Sequence, residues 1–575
     1  MEMRTHHPSK RGSMDEEDRL SSLPDDLLHS ILRELPLKHA VRTSALSRRW
    51  ALQWLRALAS SRVLDFTDLD LAAAATVRRC LELHAEHAAP LDVFRLALRS
   101  PPAGSSDGAF GRDVVGWIAS AVARGAREVE VDLHLTPTPT PTPTGSGRRR
   151  RQRRQVPDSD DGSAAFVELP GGLFQARNSL ARLALGGLSL RAVPLAAPGL
   201  AGLRSLSLSR IGVTDEVVRG ILASCRALES LSLRSCSLLA SVSIACERLR
   251  ELQLLGCRAV QEVSIACERL RELRLLGCRA VQKLQVAAPA LESLTLYGQV
   301  CWSENGGNHL EPFPVFFYFV GMPALRDAYL SHLGCGAYNV VHDMSYPHLY
   351  DVVAHARIVT LCSIGLLLLY NHSMDDIAYR EMPNLEELQL LLAEYSDDED
   401  QMHVSTFFML TPLPVLQRLF LHLPSDLGYG WSRDWDSDDE AQLPSDLGYG
   451  WNRDWDSDDE ADSADLRIEH EIVLDQLTLI KVFNFMATRR ELRLLTFFLT
   501  RAPSLEQLVL VTAEGEKAPA DDQLKAMQER VSELQRSSRE ARISVCRPKE
   551  DDSQNHAHTR FFHEDDEYVK IYDFL

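Results

Sequence analysis

Twenty residues from Val242 to Gln261, VSIACERLRELQLLGCRAVQ, recur from Val263 to Gln282 as VSIACERLRELRLLGCRAVQ, an offset of 21 residues with one difference, Gln253 against Arg274. A chain that repeats at this period grows along one axis by stacking similar units, and needs no new core for every 150 residues or so. Each copy holds Leu-x-x-Leu-x-Leu-x-x-Cys, first as Leu249, Leu252, Leu254 and Cys257, then as Leu270, Leu273, Leu275 and Cys278. Leu-x-Leu alternates at period two, so the leucines point to one side of a short strand and the residues between them to the other. One such strand cannot bury its leucines alone. Stacked copies, about 4.8 Å apart, can.

The spelling extends beyond the duplication. Upstream lie Leu180, Leu183, Leu185; Leu203, Leu206, Leu208; and Leu228, Leu231, Leu233, Cys236. Downstream lie Leu291, Leu294, Leu296; Leu385, Leu388, Leu390; Leu416, Leu419, Leu421; and Leu505, Leu508, Leu510. The pattern resembles the leucine-rich repeat, which implies a solenoid with a curved parallel sheet, lined on its convex side by helices or irregular turns. Amphipathic helices fit LRELQLL locally but not the recurring Leu-x-Leu-x-x-Cys ending. Cys236, Cys257 and Cys278 are expected to stack as inward thiols packed on turn backbone, and Cys246 and Cys267 to be structural too; no His or acid recurs beside them as a metal site requires. No metal or cofactor is expected.

With 62 basic against 81 acidic residues, the formal charge of −19 argues against a surface built throughout to grip phosphate backbones. The first twenty residues hold no apolar run of the secretory kind, so an intracellular protein is expected, with its eleven cysteines as free thiols. Ile358 to Tyr370 is apolar but, at 13 residues, short of the roughly 20 needed to span a bilayer; it reads as a buried strand.

Three inserts interrupt the repeats. Residues 136–163, TPTPTPTPTGSGRRRRQRRQVPDSDDGS, are expected to be disordered, and Arg148, Arg149, Arg150, Arg151, Arg153 and Arg154 there resemble a nuclear import signal. A merely solvated loop is the alternative. Disordered inserts are also expected at 396–403 and 423–465. The latter contains LPSDLGYGWSRDWDSDDEA and its near-copy LPSDLGYGWNRDWDSDDEA, and its acids supply more than half of the net charge. Asp434, Asp436 and Asp438, like Asp454, Asp456 and Asp458, open as a calcium loop does. Asp439 and Asp459 then stand where glycine is needed, and Ser445 and Asp465 where a bidentate Glu is needed. Ser396, Ser437 and Ser457 precede acids, as in acid-directed phosphorylation sites, and Trp431, Trp435, Trp451 and Trp455 are candidate partner anchors.

Asp18 to Leu58 reads as a compact helical unit. Ser22 is placed to cap a helix, Pro24 in its first turn, Asp25 and Asp26 at its positive end, and Leu27, Leu28, Ile31, Leu32 and Leu35 on an apolar face that ends at Pro36. Some forty residues cannot cover so many apolar groups themselves, which leaves part of the face for a partner. Leu23-Pro24-Asp25-Asp26-Leu27-Leu28, Ile31-Leu32, Leu35-Pro36, Val41 and Ser44-Ala45-Leu46-Ser47-Arg48-Arg49-Trp50 resemble the F-box, the three-helix adaptor-binding module of SCF ubiquitin ligases. A helix-turn-helix DNA reader is the weaker match despite Arg48 and Arg49. Leu477 to Val511 resembles the FBD domain that follows F-box and leucine-rich repeats in plant proteins, with strand, helix and strand.

The fold class expected is α/β: a disordered N-terminus at 1–17, a three-helix F-box at 18–60, a leucine-rich-repeat solenoid at 61–465 with its inserts, and an FBD-like region at 466–575. The resemblance implies a non-catalytic substrate receptor, nuclear or cytoplasmic, that binds a Skp-type adaptor and through it a cullin and RING subunit. Leu23, Pro24, Leu27, Leu28, Ile31, Leu32, Leu46 and Trp50 are the adaptor contacts it implies, some of them doubling as internal packing. Target contacts are expected at the outward strand positions Ser205, Ser207, Ser230, Ser232, Glu251, Gln253, Glu272, Arg274, Ser293 and Thr295. A protein-binding scaffold unconnected with ubiquitin is the rival reading. An enzyme is disfavoured: no G-x-S-x-G, Walker loop or H-E-x-x-H occurs, and His556, His558 and His563 read as part of a polar tail.

Overall fold

The computed structural model describes residues 23–35, 37–46, 48–50, 53–67, 74–86, 90–98, 107–133, 167–175, 179–190, 197–278, 280–297, 316–331, 352–362, 366, 381–392, 399–423, 472–513 and 518–558. Ser22, Pro36 and Ser47, the arginine run at 148–154, the acidic repeats beyond Leu423 with their serines and tryptophans, Ser396, and His563 lie outside them. Two compact units result: Met1–Gly212 with Ala223–Ala227, and Val213–Leu222 with Leu228–Leu575.

The first unit opens with α1 (Asp25–Arg33), α2 (Leu37–Arg42), a 3-10 turn at Thr43–Ala45 and α3 (Gln53–Ala59). Pro24 is the residue that caps α1 and not part of its first turn, while Asp25 and Asp26 lie at the positive end as expected. Five parallel strands follow, Val63–Phe66, Val93–Leu98, Glu128–Leu133, Arg182–Gly186 and Ser205–Ser209, each paired with the next. Apolar residues alternate inward along them, as at Phe94, Leu96 and Leu98, and helices Ala74–Glu86 and Asp107–Ala123 connect the first three. Close packing demands glycine at Gly187, where, at φ +67°, a Cβ would meet the Leu133 carbonyl oxygen at 2.0 Å.

In the second unit eleven strands pair in parallel and in sequence: Ser230–Arg234, Glu251–Leu255, Glu272–Leu276, Ser293–Tyr297, Asp327–Ser331, Ile358–Cys362, Glu387–Leu391, Arg418–His422, Leu479–Phe485, Gln507–Thr512 and Arg542–Cys546. The duplicated segments stack residue on residue, with Leu252 opposite Leu273 and Gln253 opposite Arg274. Every Leu-x-Leu pair named above from Leu231 onward is buried, each leucine being worth roughly 1.5–3 kcal/mol relative to exposure. Strands end at a left-handed residue, Ser235 (φ 49°), Gly256 (φ 60°) or Gly277 (φ 64°). The N–H of that residue donates to the neighbouring strand, as from Gly256 to the Leu276 carbonyl at 2.7 Å. The reversal turns the next cysteine inward. The Cys257 thiol lies 3.5 Å from the Leu233 carbonyl oxygen and that of Cys278 3.6 Å from Leu254, the turn packing expected of them.

Expectation and structure differ behind this sheet. Helices or irregular turns are replaced at the duplicated repeats by a second parallel sheet, Ser241–Ile244, Glu262–Ala266, Lys283–Ala287 and Phe316–Val320. Twenty-one residues leave room for two short strands and two tight turns, and Val263 and Ile265 alternate inward just as the leucines do. Ile358–Cys362 is the expected buried strand, although shorter than the apolar run. A helix, Glu399–Leu410, begins inside the stretch 396–403 where the sequence predicted a disordered insert; it is anchored by buried Val404, Phe407 and Phe408, whose spacing follows a helical turn.

The FBD-like stretch has the strand, helix and strand expected, as Leu479–Phe485, Arg489–Leu499 and Gln507–Thr512, with Leu505 just ahead of the last. Thr488 and Glu491 cap the helix reciprocally: the Glu491 N–H donates to the Thr488 hydroxyl at 3.3 Å and the Thr488 N–H to the Glu491 carboxylate at 3.1 Å. Among the described residues no helix is long and apolar enough to cross a membrane.

Candidate functional site

The helical unit sorts the eight adaptor candidates into two sets. Leu28, Leu32 and Trp50, at 0, 3 and 3% exposure, form its core with Ala40 and Ala57, and Leu23 packs against them, half-buried. These residues supply the internal packing that the sequence reading allows for some of the eight. Leu27, Ile31 and Leu46 instead stand 52, 41 and 62% exposed, and Pro24 is exposed as well. Leu27 and Ile31 sit one turn apart on α1, and the spacing is what divides the faces: 27 and 31 share one, 28 and 32 the other. Arg49 holds the chain after Leu46 against the start of α1, donating to the Leu23 carbonyl at 2.5 Å and pairing with Asp25 at 2.5 Å. That guanidinium's hydrogen bond keeps the exposed Asp25 carboxyl below its ordinary range.

The target candidates occupy the outer face of the strands. Ser205 and Ser207 are partly exposed in the first unit. In the second, Ser232, Gln253, Arg274 and Thr295 form one row in register, and Ser230, Glu251, Glu272 and Ser293 another. All are exposed or half-exposed except Thr295, at 2%. Thr295 is flanked by Tyr329, its register partner, and Tyr297 on the same face, whose rings pack 6.4 Å apart. Arg274 pairs with Glu272 on its own strand, and burial pushes the Glu272 carboxyl up.

The same row continues as Tyr329, Thr360, Gln389, Phe420 and Lys481. All five are buried, while Asp327, Ile358 and Arg418 on the same face stay partly exposed. Part of the cover is the chain's own segment Asp551–His558, whose sequence reads as polar tail. Lys481 pairs with Asp551 at 2.6 Å and donates to the Asn555 side-chain oxygen at 2.5 Å. The Ala557 N–H donates to Glu387 at 2.7 Å, and His558 Nδ1 lies 2.8 Å from the Thr360 hydroxyl. His556 and His558 are buried, their rings against Phe420 and Tyr329. Burial opposes ionisation of Asp551, yet the hydrogen bonds from Lys481 and Ser553 hold its carboxyl below the ordinary range. A sequence signal for this cover existed: Leu479–Phe485, LIKVFNF, loses the polar–apolar alternation, as a strand does when both faces are covered.

No group of three or more metal-ligating side chains is assembled among the described residues. The geometry defines a helical module with apolar side chains left exposed and a parallel leucine-rich sheet.

Comparison with known proteins names both parts. Residues 20–56 match the F-box domain, and residues 159–296 match the leucine-rich repeats of the FBD-associated F-box protein At5g56370. The chain carries an F-box followed by FBD-associated leucine-rich repeats, and its relatives are F-box, FBD and LRR-repeat proteins of Arabidopsis thaliana. It is 29% identical over 233 residues to F-box protein At5g03100, which covers 40% of this chain and 60% of that protein. It is 57% identical over 53 residues to F-box/FBD/LRR-repeat protein At5g22700, 9% of this chain and 11% of the relative. With F-box/LRR-repeat protein At5g02910 the identity is 55% over 42 residues, 7% and 9% of the two chains. The matches thus span 60% of the first relative's length and about a tenth of the other two.

Proposed function

We propose that this chain is the substrate-recognition subunit of an SCF-type ubiquitin ligase: its F-box docks on a Skp-type adaptor, a cullin and RING subunit follow, and the repeats hold a target protein. The observation that carries the reading is the exposure of Leu27, Ile31 and Leu46 around a core that is already closed by Leu28, Leu32 and Trp50. Exposed leucine and isoleucine on one helical face are what a partner's apolar surface would cover. No chemistry by the chain itself is needed. Holding target lysines beside a charged conjugating enzyme raises their effective concentration.

Co-purification with a Skp-type adaptor tests this. Wild type is expected to capture the adaptor, and Leu27→Asp with Ile31→Asp to lose it with little change in unfolding temperature, since both side chains already face water. Leu28→Ala is the contrasting variant, expected to destabilise the helical unit by about 2–5 kcal/mol through a cavity. No capture by wild type would favour the scaffold reading. Nuclear residence is part of the proposal and is supported by the arginine run at 148–154. Replacing the six arginines by alanine is expected to move a fluorescent fusion to the cytoplasm.

A further inference from the structure

The outward face of the second unit between Asp327 and Lys481 is filled by a segment, Asp551–His558 (DDSQNHAH), whose grip has an unusual chemistry. Ala557 is its one apolar residue, so hydrophobic burial of the segment's own side chains contributes little. It is held by directed polar contacts: Asp551 and Asn555 to Lys481, the Ala557 N–H to Glu387, and His558 to Thr360 and, at 3.5 Å, to Asp327. Nor does it join the sheet; these contacts are made by side chains of successive strands, one after another. Side-chain recognition of an extended segment along a row of strands is how a groove reads a peptide. The segment's other side faces water, with Asp552, Gln554, Asn555 and Ala557 exposed, so it lies on the sheet as an outer layer and not inside a core.

We propose that the groove from Asp327 to Lys481 is a peptide-recognition site held in cis by Asp551–His558, and that a target peptide presenting a carboxylate followed by amide and imidazole side chains enters by displacing it. The proposal rests on the reading that the repeats hold a target, and it assigns to that target a chemistry and a site that the outward positions of the earlier strands did not suggest.

The hydrogen-bond geometry adds a condition on release. His556 Nδ1 accepts from the His558 N–H at 3.0 Å, so that nitrogen carries no proton in the bound segment. Facing the ring are Glu387 at 3.4 Å, Arg418 (paired with Glu387 at 2.7 Å), His422 and His558. Burial, with the neighbouring His558, His422 and Arg418, drops the His556 pKa to about 2. A released segment regains an ordinary imidazole near 6.5, so it binds a proton that the held segment refuses. The grip is therefore at full strength above about pH 6.5 and weakens about tenfold for each pH unit below it.

The test titrates a fluorescent synthetic peptide of residues 549–560, KEDDSQNHAHTR, into the full chain and into a full-length variant, Asp551→Ser with Asn555→Ser and His556→Ser, which leaves the groove intact. The variant is expected to bind the peptide at least tenfold more tightly than wild type, and adding Lys481→Met to it is expected to remove that gain. Equal affinity for wild type and variant, or binding by neither, overturns the proposal. A second measurement needs no variant: hydrogen-exchange protection of the Ala557 and His558 amides in wild type is expected to fall about fivefold between pH 6.5 and 5.5 while strand Glu387–Leu391 keeps its own. Unchanged protection overturns the displaceable grip. Adaptor capture is scored on the same wild-type sample. Capture without peptide binding sinks the groove alone, and absence of capture sinks the ligase reading whatever the peptide does.

Discussion

Strands Ser230–Arg234 to Ser293–Tyr297 and strands Asp327–Ser331 to Leu479–Phe485 share one inward face of buried apolar residues and differ on the other. In the first group the middle outward residues are Ser232, Gln253 and Arg274, partly in water, and at its edge Thr295, buried. In the second they are Tyr329, Thr360, Gln389, Phe420 and Lys481, all covered. An inward leucine pattern therefore determines that a strand stacks, but says nothing about whether its outer face is free. For that, the identity of the intervening residues matters, and a fully buried lysine is informative because it needs an anion brought to it.

Five substitutions break or sharpen the contrast, each read as a shift in chemical-denaturation midpoint. Phe420→Ala is expected to cost about 3–5 kcal/mol, as a large buried ring leaves a cavity, whereas Ser232→Ala at the corresponding outward position stays within about 0.5. Lys481→Met is expected to cost about 3 kcal/mol, because Asp551 loses its ion pair in a site that is 9% exposed. Thr295→Arg marks the boundary between the regions and is expected to cost about 1–3 kcal/mol through overpacking of a buried position. Gln253→Arg is expected to fall within about 0.5 kcal/mol, since Arg274 already occupies the equivalent place one repeat on. An outer-row cost as large at Gln253 as at Phe420 would erase the distinction.

The stacking of strands was legible because it depends on local spacing: Leu252, Leu254, Leu273 and Leu275 announce inward positions within a few residues. The F-box helices were legible in the same way, through Leu28 and Leu32 a turn apart. What periodicity could not apportion was which of Leu27, Leu28, Ile31 and Leu32 close the core, since a broad apolar stripe serves both packing and docking. Least legible was the cover at Asp551–His558. Its partners lie far away along the chain, Thr360 being 198 residues from His558, and its own composition is that of a solvent-exposed tail. Charge complementarity between Lys481 and Asp551 has no period to detect. The left-handed turns were half visible: Gly256 and Gly277 are written into the duplicated motif, but Ser235 takes the same conformation without glycine.

The residue-on-residue stacking of Val242–Gln261 upon Val263–Gln282 has a genetic corollary. Because each copy presents to the next the surface it received from the previous one, slippage during replication that adds or removes 63 nucleotides would lengthen or shorten the array by one tier, about 4.8 Å, without a mismatched seam. Such a region can alter its reach in a single mutational step, and the lone Gln253/Arg274 difference falls on an outward position that the stacking leaves unconstrained.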